Sequence, residues 1–220
     1  MGAPTVTPLV ETRREGGYVV FDPSDGMFTR EPGVLAAGSG VCVAGLVLGA
    51  LLTGGAAIAA ALGVNVGNGT FGAITVGGAA RAGLYSVEFD DPTHFIVNDP
   101  TGVMIGHGTV GTAFSVGGLG FTITAGATPF AAADSFAITV TGVIKFGPYD
   151  PTATNGLQNA AAILWSGWRD ATSSDRRAVL NVRGPMKVQT AELMWGANVT
   201  TQAQQAAALA SLAKVGILSI

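Results

Sequence analysis

Between residues 67 and 146, short runs of β-branched, aromatic and aliphatic residues alternate with polar, glycine-rich punctuation. The runs are 71–76, 83–89, 94–98, 103–105, 120–124 and 135–140, and the breaks include Asp90-Asp91-Pro92, Asp99-Pro100-Thr101-Gly102 and Gly117-Gly118. Short strands recurring every 8 to 12 residues or so predict a β-sandwich or small barrel. The flanking sequence follows other patterns. Residues 18–21 and 27–30 enclose the turn Asp22-Pro23-Ser24-Asp25-Gly26 and predict a hairpin. Residues 41–52 are apolar and predict one or two central strands, and 160–165 form an alanine-rich apolar segment. Residues 177–183 alternate like a half-buried strand that ends at Gly184-Pro185. Over 201–215 the spacing predicts a helix capped by Thr200 or Thr201. Its apolar stripe would be Ala206, Leu209, Ala210, Leu212 and Ala213, with Gly216 as its stop and a closing strand at 217–220.

These elements predict a mainly β protein with a short C-terminal α-helix. Its small β-rich body, barrel-like and α+β, carries an inserted β-sandwich-like domain. Residues 1–17, rich in Pro, Thr and charge, read as an arm disordered on its own. Residues 18–66 and 147–220 make the body, and 67–146 the insertion. Charge supports the division: 67–146 holds five acidic residues (Glu88, Asp90, Asp91, Asp99, Asp134) against Arg81 and Lys145, which accounts for the whole net charge of −3.

Composition narrows the function. Apolar residues make up 48% of the chain and charged residues 11%, against roughly 25% charged in an ordinary soluble protein. The surface must therefore be finished largely with Gly, Thr, Ser and Asn, which suits β-structure buried in assemblies. A net charge of −3 supplies no general attraction to nucleic acid. No charged residue lies between Glu31 and Arg81, and 41–62 is long and apolar enough to resemble a membrane span. Its glycines at 45, 49, 54 and 55 weaken a helix, so buried strands explain it better and no membrane partner is expected. The N-terminus lacks the apolar core of a signal peptide, which leads to an expected location in the cytoplasm.

Convergent catalytic chemistry is missing from the sequence, and no enzymatic activity, cofactor or metal is expected. His94 and His107 are the only histidines and read as solvated strand or loop residues. Gly106, Gly108 and Gly111 match GxGxxG, but strands flank them and no helix follows, so they read as a turn. Glu88, Asp90, Asp91 and Asp99 match no calcium loop, and their Asp-Pro steps are turn formers. Cys42, the single cysteine, lies between Val41 and Val43 and reads as a buried thiol. Trp165, Trp168 and Trp195 are large apolar anchors suited to a core or a subunit contact.

Three runs carry a resemblance: PYDPTATNGLQNAAAIL; RRAVLNVRGPMKVQTAELMW, with its Leu-x-Trp element at Leu193 and Trp195; and TTQAQQAAALASLAKVGILSI. With REPGVLAAGSGVCVAGLVLGAL they resemble the head decoration proteins of lambda-like tailed phages over roughly 18–66 and 147–220. The order of elements carries the likeness, and 67–146 looks like the extra β-domain of longer members. The resemblance implies a homotrimer on the outer surface of the virion, at threefold positions of the expanded capsid. There it would bind the major capsid protein and reinforce the shell, after a stay in the host cytoplasm during assembly. An extended arm can add a strand to a capsid sheet edge. Thr5, Val6, Leu9 and Val10 are its candidate contacts, with Tyr18 and Val19 where it meets the body. Leu193, Trp195 and Trp165 are candidates for the trimer interface or core. Two alternatives come from other classes: an outward-facing adhesin holding host-surface glycans through 67–146, and a small membrane protein built around 41–62.

Overall fold

The computed structural model describes residues 13–220. Within them the chain is mainly β, with 46% of residues in strands and one α-helix near the C-terminus. The strands begin with β1 (Val19–Phe21), β2 (Arg30–Leu35), β3 (Gly40–Val43) and the long β4 (Val47–Ala61). Then come β5 (Thr70–Phe71), β6 (Thr75–Val76), β7 (Gly83–Phe89), β8 (His94–Asn98), β9 (Met104–Thr109), β10 (Phe114–Val116), β11 (Leu119–Phe121) and β12 (Ile123–Thr124). The long β13 (Ser135–Pro148) precedes β14 (Ala160–Leu164), β15 (Trp168–Ala171), β16 (Arg176–Asn181), β17 (Met186–Val188), helix α1 (Gln202–Ala213) and β18 (Ile217–Ser219). Residues 41–62 thus form strands, and no described helix is long and apolar enough to cross a membrane.

The chain separates into two compact units: residues up to Leu48 with Ala160–Ile220, and Gly49–Asn159. In the first, β16 lies between β2 and β14, with Val179 opposite Pro32 and Leu164 opposite Leu180. A second sheet has β17 between antiparallel β1 and parallel β18, and β3 pairs with β15. Leu35, Val47, Leu48, Ile163, Leu164, Leu180, Met186 and Leu212 fill the interior, with α1 packed on β14 and β18.

Two local expectations for this unit change. The hairpin around Asp22 does not form, because β1 takes β17 as its partner and residues 27–29 stay in a wide turn. Asp22 closes that turn: Oδ1 accepts from the Ser24 amide at 3.0 Å and Oδ2 from Thr29 Oγ1 at 2.6 Å. In α1, Thr201 is the N-cap in a reciprocal capping box with Gln204. The buried residues are Ala208 and Leu212, while Ala206, Ala210 and Ala213 are exposed. With alanine on every side of the helix, periodicity does not set which face turns inward, and packing on β14 and β18 does.

In the second unit, β4, β13, β7, β8 and β9 are successive neighbours in one sheet, beside the ladders β10–β11–β6 and β12–β5. Inward positions carry aromatic rings: Phe89 stacks on Phe130 at 4.0 Å, and Phe114 on Phe121 at 5.0 Å. Gly106 and Gly108 lie in β9 instead of a turn. A Cβ at Gly108 would overlap the Phe95 ring, so this glycine serves close packing. Buried Asp134 accepts the backbone N–H groups of Val66, Gly67 and Ala131 at 2.8, 2.8 and 3.0 Å, which ties the segment after β4 to the entry of β13.

One triplet recurs along the chain. In Asp-Pro-Ser or Asp-Pro-Thr at residues 22, 91, 99 and 150, the carboxylate accepts both the amide and the hydroxyl of the third residue. Proline fixes φ at the second position and the short side chain closes an Asx turn, so each of these acids closes a turn.

Candidate functional site

The arm candidates Thr5, Val6, Leu9 and Val10 lie outside the described residues. Of the segment read as an arm, residues 13–17 are bonded to the first unit at several points. Arg13 Nη2 donates to Glu192 Oε2 at 2.7 Å and to the Glu192 carbonyl at 2.6 Å, while Nη1 lies 2.8 Å from Met194 Sδ. Glu15 Oε1 accepts from the Gly167 amide at 3.0 Å. Gly16 has φ +69°, and a Cβ there would overlap the Trp165 indole. The sequence reason is the Gly16-Gly17 pair, which permits a tight turn closed by Gly17 N–H to Arg14 O and Val19 N–H to Gly16 O.

Backbone hydrogen bonds hold the receiving segment to the strand entry at Leu46. Met194 forms a parallel bridge with Leu46, its amide donating to Gly45 O and its carbonyl accepting from Val47 N–H. Gly45, at φ +85°, lies so close that a Cβ would sit 2.8 Å from the Glu192 carbonyl oxygen. Of the acceptors that meet Arg13, Glu192 closes a 3-10 turn over Thr190–Glu192 and Met194 sits at the bridge to Leu46.

Beneath this contact, Trp165 is half-buried and carries the Arg30 guanidinium 3.3 Å from its ring centroid, a cation–π contact. Tyr18 is buried, and its hydroxyl accepts from Asn181 Nδ2 at 2.7 Å. Burial drives the Tyr18 hydroxyl pKa well above the ordinary tyrosine range. At Asp22, burial acts upward but is outweighed by the hydrogen bonds from Thr29 and Ser24 and by the Arg30 charge, so its carboxyl sits below the usual range. Arg30 Nε is buried without a hydrogen-bond partner, so its retention rests on the indole face and neighbouring charge.

The other sequence candidates fall as follows. Tyr18 turns into the core, and Val19 opens β1 opposite Val188. Leu193 is buried and Trp195 half-buried, whereas Trp168 is 54% exposed. Sequence reasoning missed Arg13, Glu15, Gly16, Glu192 and Met194 as a set, because their partners are about 150 to 180 residues apart. The signal present was the charged run Arg13-Arg14-Glu15 followed by Gly16-Gly17, just before the first strand. In the second unit, exposed His94 Nδ1 lies 2.8 Å from Asp91 Oδ2, and exposed His107 stands in β9 opposite Ile96. No group of three or more metal-ligating side chains occurs among the described residues. Residues 13–17 thus bring a guanidinium against a carboxylate and a thioether.

A family model described as bacteriophage lambda head decoration protein D matches residues 8–217. No curated protein matches the chain. Among solved structures, FlgL of Xanthomonas campestris, in two crystal forms, is 24% identical over 47% and 46% of this chain and 33% of that one, with a TM-score of 0.33. The flagellar hook junction protein FlgK from Burkholderia pseudomallei is 22% identical over 58% of this chain and 21% of its own, also at 0.33. The chain spans a third or less of the length of these structures.

Proposed function

This chain belongs to the bacteriophage lambda head decoration protein D family, and from that premise we propose that it attaches to the outer surface of the expanded capsid as a homotrimer and stabilises the shell. Family membership places it among structural capsid decoration proteins of the virion. The observation that carries the proposal is the reach of the family match, which runs from residue 8 to residue 217 and so spans nearly the whole chain.

The physical picture has three parts. Residues before Arg13 supply an extended strand to a sheet edge of the major capsid protein, where backbone hydrogen bonds give affinity and alternate side chains give register. Thr5, Val6, Leu9 and Val10 are its contacts. A single short segment binds weakly because it must be ordered on binding. Three on one trimer raise the effective concentration of each successive contact, and preference for the expanded lattice then stabilises that state by mass action. Leu193, Trp195 and Trp165 belong to the core or the subunit contact, and residues 67–146 form the outward-facing insertion.

The test is co-sedimentation of purified protein with expanded and unexpanded heads of its phage, for the full chain and for a variant lacking residues 2–12. Binding to expanded heads alone, lost on deletion, supports the reading. Equal binding of the deletion variant overturns the arm, and indifference to both kinds of head overturns the function.

A further inference from the structure

We infer that Arg13, Gly16 and their receivers Glu192, Met194 and Trp165 form an anchor for the capsid-binding arm proposed above, so that residues 13–17 are already held on the first unit before the arm meets the capsid. The inference rests on the arm reading above and adds the residues that govern it. The Arg13 guanidinium is directed at three acceptors on the Glu192–Met194 segment, two of them at 2.6 and 2.7 Å. Glu15 fixes a second point on the Gly167 amide. Gly16 lies against the Trp165 ring, where no larger residue fits.

Magnitudes decide what the contact is for. A half-exposed ion pair adds little to folding stability, and the Arg13 and Glu192 side chains are 32% and 55% accessible. A contact weak as a stabiliser is still effective as a positioner, because ordering the root in advance removes that ordering from the binding step. With three anchored roots per trimer, the effective concentration of each successive contact rises further. The Gly45 approach and the Leu46–Met194 bridge hold the receiving acceptors in place, as a positioning device requires.

The test compares Arg13→Glu, Gly16→Ala, the exchange Arg13→Glu with Glu192→Arg, and deletion of residues 2–12, each titrated against expanded heads by co-sedimentation with melting temperature measured alongside. Arg13→Glu should weaken binding roughly tenfold with little change in melting temperature, and the exchange should restore it. Gly16→Ala should weaken binding independently, by lifting the root from Trp165. If deletion abolishes binding while Arg13→Glu and Gly16→Ala bind like the parent, the anchor is refuted and the arm stands. If the deletion variant binds like the parent, the arm reading itself falls. Loss of binding that tracks a lowered melting temperature and is not rescued by the exchange also refutes positioning.

Discussion

Tyr18 and Asn181, 163 positions apart, meet in the interior of the first unit, the tyrosine hydroxyl accepting a 2.7 Å hydrogen bond from the asparagine amide. The pair joins the residue that follows Gly16-Gly17 to the last residue of β16. Asn181 Oδ1 has no partner of its own, so the amide depends on Tyr18.

Tyr18→Phe removes that acceptor and leaves a buried amide group unpaired. The expected loss is about 1–3 kcal/mol, read as a lower urea midpoint with an unchanged slope. An unchanged midpoint would show that Asn181 finds another partner.

Acid should weaken the fold through its turn-closing and loop-pinning carboxylates. At Asp134, burial acts upward but is outweighed by the N–H groups of Ala131, Gly67 and Val66, and the carboxyl lies below its ordinary range; Asp22 behaves alike. A folded-state pKa below the unfolded value of about 3.9 gives stability that is complete above that pH and lost as pH falls through the folded value. Unfolding free energy should therefore be flat near neutrality and drop below about pH 4. Asp134→Asn should be less stable at neutral pH and show a shallower acid loss.

Cys42 is buried, and burial pushes its thiol up to about 11. It should resist a disulfide reagent at neutral pH in the native protein and react at once in denaturant, since the thiolate is the reactive form. Rapid native labelling would contradict the packing of β3.

Phe130 stacks on Phe89 and meets Phe136 edge-on at 5.9 Å. Phe130→Ala should destabilise the second unit by about 3–5 kcal/mol. Hydrogen exchange should locate the loss around 62–68 and 126–134, which are held together where Asn68 Oδ1 accepts from the Thr128 amide and Asp134 from the amides of Val66 and Gly67.

Particular residues show where sequence reasoning reached its limit. Each Asp-Pro-Ser or Asp-Pro-Thr triplet closes within three residues, so its turn is readable wherever it occurs. The turn around Asp22 is legible, yet the hairpin is not: residues 27–29 stay in the turn and β1 pairs with β17, more than 160 positions away. Gly106 and Gly108 match a familiar motif, and only the position of the Phe95 ring reveals that Gly108 is needed for packing. The tryptophans are conspicuous in the sequence; that Trp165 and Trp195 are half-buried and Trp168 exposed depends on neighbours from other strands.

The sequence by itself determined the β-rich class, the capped C-terminal helix, the polar turns and the family likeness, since each follows from spacings of a few residues or from the order of elements. Tertiary structure alone decided that Arg13 lands on Glu192 and Met194 and that Gly16 lies against Trp165. Which distant groups meet depends on how strands pair across the whole chain, and a local pattern carries no information about that pairing.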